Sequence, residues 1–462
     1  MRYLLKGGTV VSGNGSFRKD VLISDEKIIK VDDHIEDAAA VVIDVTNRLL
    51  FPGFIDGHTH FDLEVCGTVT ADDFASGTKA AILGGTTMVV DFASQEKGGH
   101  TLKEGLQKWH EKADGKCSCD YSFHMSIVEW NETTEQEIQE MIAEGITSFK
   151  LYMTYPAMIV NDTDLYKILK KLAEENCFAG VHCENAGVID ALIEEAKEQG
   201  RLGPENHPLV RPDTMEAEAV HRLLAIAKEA GAPVMVVHLT NKKAFDEIQK
   251  ARNAGQIVYA ETCPQYLLLD DSVYQKPDYE GAKYVCAPPI RKKVDQDCLW
   301  KAMAEDKIQT VATDQCSFTW EQKRMGLHDF SKIPGGLPGV QTRGTLLYTY
   351  GVRQGRITTE QMCKVLSENP SKLYGLYPQK GVIAEGSDAD IVVFDPEKEG
   401  IISADTHAYA ADNNPFEGFA LQGGIDKVFL RGHLVVAQDQ IILENQGTYI
   451  KRLLNSFNEK LA

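Results

Sequence analysis

The sequence predicts an α/β protein: a (β/α)8 barrel beside a small β-sandwich built from both chain ends. Three observations carry this. Short β-rich runs alternate with amphipathic helical runs through the middle of the chain. Glycines fall just past two of those helices. Hairpin-like patterns occur only near the two termini.

The first barrel strand is the run ending at Phe54-Ile55-Asp56. The next seven are read at residues 86–93, 121–128, 148–153, 178–184, 234–240, 257–262 and 311–314. Between them, residues 164–176, 215–230 and 242–254 repeat their apolar positions with helical spacing. Gly231 and Gly255 follow two of these runs, where a left-handed cap is expected. Eight such units close more naturally into a barrel than into an open doubly wound sheet. The open sheet would also call for a glycine-rich nucleotide loop after its first strand, and none follows.

At the termini, Leu4-Leu5-Lys6-Gly7-Gly8-Thr9-Val10-Val11 echoes Phe429-Leu430-Arg431-Gly432-His433-Leu434-Val435-Val436. Two such hairpins can pair, which assigns residues 1–52 plus 378–440 to the sandwich and 53–377 to the barrel. Residues 441–462 are left as a C-terminal tail and a candidate oligomer contact. The stretch 449–461 reads as a helix with too few neighbours of its own.

The chain has 462 residues, 43% of them hydrophobic and 25% charged, with a formal net charge of −20. That balance excludes nucleic acid and anionic membrane surfaces as expected partners, because both call for a basic face. No stretch approaches the roughly 18 apolar residues of a membrane span. The N-terminus meets Gly7-Gly8 before a secretory core can form. A cytoplasmic location is expected. The ten cysteines sit mostly in apolar runs, as small hydrophobes in a reducing compartment. The pair Cys117-Ser118-Cys119 reads as part of a polar linker rather than as a zinc site.

Barrel enzymes place their chemistry where strands end. The first strand ends in Asp56-Gly57-His58-Thr59-His60, and alternate residues of extended chain point the same way. His58 and His60 can therefore grip one ion together. His182, His238 and Asp314 each end a later strand. Four histidines and an aspartate form a nitrogen and oxygen set suited to Zn2+ or a similar divalent ion. Lys150, in Ser148-Phe149-Lys150-Leu151-Tyr152, lies inside an apolar, aromatic strand. It needs either a carboxylate partner or covalent conversion, for example to a carbamate by CO2.

Together with FPGFIDGHTHFD, the segments SFKLYMTY, HCEN, VHLTN, ETCPQYLLLD, APPIR, GLPGV and GSDADIVVFDP extend the pattern over nearly the whole chain. The sequence closely resembles the dihydropyrimidinase/hydantoinase family of cyclic amidohydrolases. Its look is that of bacterial D-hydantoinases and phenylhydantoinases rather than of allantoinases or dihydroorotases. The resemblance implies two metals, usually zinc: His58, His60 and Asp314 on the first, His182 and His238 on the second. Lys150, as N6-carboxylysine, would bridge both. A hydroxide shared by the ions would attack the ring amide, with Asp314 moving the proton and the Tyr155 hydroxyl stabilising the oxyanion. The product would be an N-carbamoyl amino acid. The substrate implied is a cyclic ureide or imide, a dihydropyrimidine or a 5-substituted hydantoin. Allantoin or another purine-derived ureide is the alternative, and a non-catalytic assembly paralogue the remote one. A homotetramer, or a homodimer, is implied as well.

Three positions depart from the family pattern. Ala287 stands where a serine is common, Gly335 where an asparagine is common, and Gln315 where a histidine follows the metal aspartate. The first two hold the ring's imide in relatives largely through main-chain groups. Substituent and stereochemical limits are expected in the loops around 63–69 and 152–160.

Overall fold

The computed structural model describes residues 1–457. Eight parallel strands follow one another in chain order around the barrel: Phe54–Thr59, Thr86–Ser94, Asp120–Ser126, Ser148–Tyr152, Phe178–His182, Val234–Val236, Val258–Thr262 and Thr310–Val311. The last strand returns to the first through an isolated bridge between Thr59 and Gln315. There His60 N–H donates to the Gln315 carbonyl at 2.8 Å, and Gln315 N–H donates to the His58 carbonyl at 3.2 Å. Strand residues are buried on both faces, as a helix-covered parallel sheet requires.

The strands expected at 234–240 and 311–314 are shorter than the sequence suggests, because the chain leaves extended geometry at their ends. His238 has φ +38° and Asp314 φ +54°. The helix Asp162–Glu174 shows why the outer layer forms: Asn161 caps its first turn, and Leu165, Ile168, Leu169 and Leu172 make one buried stripe. The helix Asp213–Ala230 stops at Gly231, whose φ of +66° is the left-handed cap expected there.

The terminal sandwich is a single nine-stranded sheet folded over its own core. Its order runs Gln440–Ile441, His433–Ala437, Ala420–Leu430, Ile391–Ile401, Leu49–Pro52, Arg2–Ser12, Gly15–Ser24, Lys27–Asp32, with Val41–Asp44 also beside Arg2–Ser12. Leu49–Pro52 thus joins the two chain ends, pairing with one side of each. Leu5, Ile23, Leu50, Ile391 and Phe429 share one apolar cluster inside the fold. Tyr3 and Phe429, from non-adjacent strands, meet edge to face with centroids 5.4 Å apart.

Two expectations are corrected. Cys117, Ser118 and Cys119 do not lie in a solvated linker; all three are buried, and both thiols are free. The tail is not helical over its described part, and it has neighbours. It runs extended across the barrel floor, where Ile450 N–H donates to the Tyr121 carbonyl (2.8 Å) and Leu453 N–H to that of Gly375 (3.0 Å). The buried Arg452 reaches the hydroxyls of Ser122 (2.9 Å) and Ser148 (2.8 Å). These floor contacts take up the hydrogen-bonding groups that a helix would have paired internally. Residues 458–461 of that expectation lie outside the described residues. Among the described residues, no helix is long and apolar enough to cross a membrane.

Candidate active site at the barrel mouth

A cavity of about 770 Å3 opens where the strands end. His58, His60, Lys150, His182, His238 and Asp314 all line it, and so do Tyr155, Ala287 and Gly335. The sequence-predicted residues therefore converge on one place. Donor atoms of His58, His238 and Asp314 lie within 4.8 Å of one another. Nε2 of His58 and Nε2 of His60 approach the same Asp314 oxygen, at 3.1 and 3.2 Å. The rings of His182 and His238 stand edge to face, 4.5 Å between centroids.

Two carboxylates behind these rings fix which nitrogen faces the cavity. Glu261 accepts from Nδ1–H of His58 at 2.7 Å, which turns Nε2 toward Asp314 and the cavity. Glu184 accepts from Nε2–H of His182 at 2.8 Å, leaving Nδ1 free, and is paired with Arg211 at 2.6 Å. Sequence reasoning assigned neither glutamate a role. Glu184 carried a signal, standing two residues after His182 on the same side of extended chain. Glu261, in the seventh strand, carried none before the barrel closed.

Burial holds His60, His182 and His238 below the ordinary imidazole range, as ligands need. At His58, burial and Lys150 are outweighed by Asp314 and Glu261, which raise it. Asp314 is held well below the carboxylate range: burial opposes this, but His58 and His60 prevail. Burial lowers the Lys150 amine to about 8. No carboxylate pairs with it; the rings of Phe92 and Tyr152 flank its Nζ at 4.9 and 5.3 Å. Of the two fates open to this lysine, the ion pair is absent among the described residues.

The set fits divalent metal. Beyond the donor chemistry, buried Nδ1 of His238 and Oε1 of Glu184 have no hydrogen-bond partner among the described residues. Tyr155, His238 and Asp314 all adopt positive φ, at +68°, +38° and +54°. Such strained backbone clusters where a side chain must be aimed.

Residues 49–435 match the amidohydrolase family. A D-hydantoinase from Geobacillus stearothermophilus is 44% identical over 98% of this chain and 97% of its own length. A D-phenylhydantoinase from Escherichia coli strain SE11 is 40% identical over 94% of each chain. The chain belongs to the amidohydrolase family. The crystal structure of dihydropyrimidinase from Brevibacillus agri NCHU1002 superposes with a TM-score of 0.98 at 42% identity, covering 99% of this chain and all of that one.

Against the amidohydrolase pattern, the departures acquire geometry. Gln315 accepts the N–H groups of Gly339 (2.6 Å) and Val340 (3.0 Å) on its Oε1 and donates from Nε2 to Asp72 (3.0 Å). It is a clamp on the loop after the last strand, and a neutral amide serves both sides at once. Ala287 and Gly335 face the cavity without polar side chains. The Tyr155 ring stands 5.1 Å from that of His182, with Arg211 5.8 Å from its centre. Burial pushes its hydroxyl well above the ordinary phenol range, so it stays a donor.

Proposed function

We propose that this amidohydrolase opens the ring amide of a cyclic ureide or imide, a dihydropyrimidine or a 5-substituted hydantoin, to give an N-carbamoyl amino acid. The observation that carries the reading is the convergence of four histidines and Asp314 around a buried lysine that forms no ion pair among the described residues. It is a hydrolase of cyclic amide C–N bonds; the near-full-length relatives named above are a D-hydantoinase, a D-phenylhydantoinase and a dihydropyrimidinase, and an allantoinase reading is not favoured.

His58, His60 and Asp314 would hold one divalent ion, and His182 and His238 a second, zinc being the expected metal. Lys150 would serve both after its neutral amine adds to CO2 and releases a proton, giving a carbamate. Bound there, the ions supply Lewis acidity and a water of lowered pKa. Asp314 takes a proton from the attacking water and passes it to the ring nitrogen that leaves. The Tyr155 hydroxyl donates to the oxygen that gains charge as the carbonyl is attacked. Main-chain groups at Ala287 and Gly335 hold the imide edge. The hairpin strands Glu64–Val65 and Thr68–Val69, with Met158, Val210 and Ile333, form an apolar wall for the ring substituent.

The non-catalytic assembly reading is disfavoured by the presence of all six ligand positions. A cytoplasmic homotetramer or homodimer completes the proposal; exposed Leu453 and Leu454 on the tail are the candidate contact, and light scattering reads the mass.

The test is a substrate panel on protein reconstituted with Zn2+ and bicarbonate. Hydantoin, phenylhydantoin and dihydrouracil should open while allantoin does not. No opening of any ring, or no bound divalent ion, overturns the proposal; turnover of allantoin alone moves it to the other ureides.

A further inference from the structure

After the last barrel strand, the chain crosses the rim of the cavity without regular period. Within this stretch the short helix Trp320–Lys323 begins on a reciprocal cap between Thr319 and Gln322. Lys323 turns inward and is fully buried. Its Nζ donates to three main-chain carbonyls, those of Val285, Pro334 and Gly336, each at 2.8 Å. An ammonium has three N–H groups, and each finds one carbonyl. Burial lowers it to about 8, but the three carbonyls accept all three N–H groups of the charged form and so favour it. No carboxylate pairs with it among the described residues. A buried cation without a counter-charge is a costly way to fill space, which methionine would fill without that cost. What it adds is direction.

The three carbonyls belong to two segments. Val285 precedes Cys286-Ala287, while Pro334 and Gly336 flank Gly335. The segments also touch directly: Gly336 N–H donates to the Val285 carbonyl at 3.0 Å. A Cβ on Gly335 would lie 3.9 Å from Cys286 Cα. Gly336 itself admits no side chain, since a Cβ there would fall 2.3 Å from the Cys316 carbonyl oxygen. Neither Ala287 nor Gly335 has a polar side chain, so any polar contact these two residues offer a ring is main-chain. Its geometry then depends on how the two backbones are held.

We infer that Lys323 is a positioning residue for the hydrolysis: from behind, it locks the 285–287 and 334–336 backbones in the register that grips the polar edge of a cyclic imide. The inference rests on the function proposed above. On the same helix, Gln322 points the other way, donating to Thr68 Oγ1 (2.9 Å) and the Val69 carbonyl (2.6 Å) of the hairpin over the cavity. One helix therefore addresses ring edge and substituent wall through adjacent residues, which supplies an internal comparison.

The experiment compares full-length, metal-reconstituted wild type with Lys323→Met, Lys323→Gln and Gln322→Ala. It measures steady-state kinetics on hydantoin, phenylhydantoin and dihydrouracil, bound metal, and amide hydrogen exchange. Lys323→Met should raise KM for every ring by about 10- to 100-fold, the worth of hydrogen bonds to a charged group. Its kcat should stay within about threefold and its metal content should be unchanged, since Lys323 touches neither reacting atoms nor ligands. Exchange should quicken at 285–287 and at 335–336 together, and Lys323→Gln should fall between Met and wild type. Gln322→Ala should change the ranking of phenylhydantoin against hydantoin more than the KM for the unsubstituted ring. A fall in kcat at constant KM, faster exchange in only one segment, or the same KM pattern from Gln322→Ala would overturn the inference. If Lys323→Met does not fold, Lys323→Gln carries both measurements. A wild type that opens no ring refutes the proposed function alone, and exchange then still decides whether Lys323 ties the two segments.

Discussion

Two fully buried lysines sit in two regions of this amidohydrolase and meet opposite fates. At the junction of sheet and barrel, Lys380 Nζ lies 2.6 Å from Asp390, 2.7 Å from Asp120 and 3.2 Å from Asp388. Burial works against its charge, but the three carboxylates outweigh it and push the amine above its ordinary value. At the barrel mouth, Lys150 has aromatic faces and, among the described residues, no carboxylate paired with it; burial outweighs the more distant Asp314 and Glu261 and brings it to about 8. The same side chain at the same depth is a fixed cation in one place and an amine moved toward its neutral form in the other. Burial therefore does not separate structural from chemical lysines; the acceptors around the nitrogen do.

Exchanging each lysine in turn is the strongest way to break that comparison. Lys150→Ala should reduce ring opening to background and lose the paired metal, as read by metal analysis, with short-chain carboxylic acids restoring part of the rate. Full activity in this variant would place the chemistry elsewhere. Asp314→Asn should lower kcat by about 10²- to 10⁴-fold, the usual worth of a positioned proton-transfer group. Lys380→Met should act on stability instead. Asp120 keeps Arg431 and Asp388 keeps Lys27, but buried Asp390 loses its cation, which costs about 3–5 kcal/mol by denaturant titration, while kcat per folded molecule is unchanged. Glu261→Gln should weaken metal binding by about 10- to 100-fold in chelator competition, because the His58 Nδ1–H exchanges a charged carboxylate acceptor for a weaker neutral amide. The smallest effect belongs to Gly335→Asn. Nothing lies within 3.9 Å of the added Cβ, so Tm should not fall, and the stiffer unfolded chain should add under about 1 kcal/mol.

The metal-ligand candidates were legible because a barrel puts strand ends together, so residues far apart in sequence could be collected by one rule. His58, His60, His182, His238 and Asp314 needed only the alternation of strands and helices. Lys150 was visible as a charge inside an apolar strand, but its lack of a carboxylate partner required the fold. Glu261 was hidden, since its role is to face His58, more than two hundred residues away. Lys323 and Gln322 were hidden for a different reason: they act from a four-residue helix in a stretch without period, where spacing carries no information. The tail was misread because residues 449–457 take their hydrogen bonds from the barrel floor, which a local pattern cannot anticipate.

Leu49–Pro52 lies between Arg2–Ser12 and Ile391–Ile401 in the terminal sheet. Translation delivers these partners at opposite ends of the job. The first hairpin leaves the ribosome early and carries an open, apolar edge until residue 391 and its neighbours emerge. Such an edge is an invitation to the same segment of another nascent chain. Yield of this protein at high expression should therefore be set by how fast the distant strand arrives, and slowing translation of the barrel should cost soluble material even though the finished fold is unchanged.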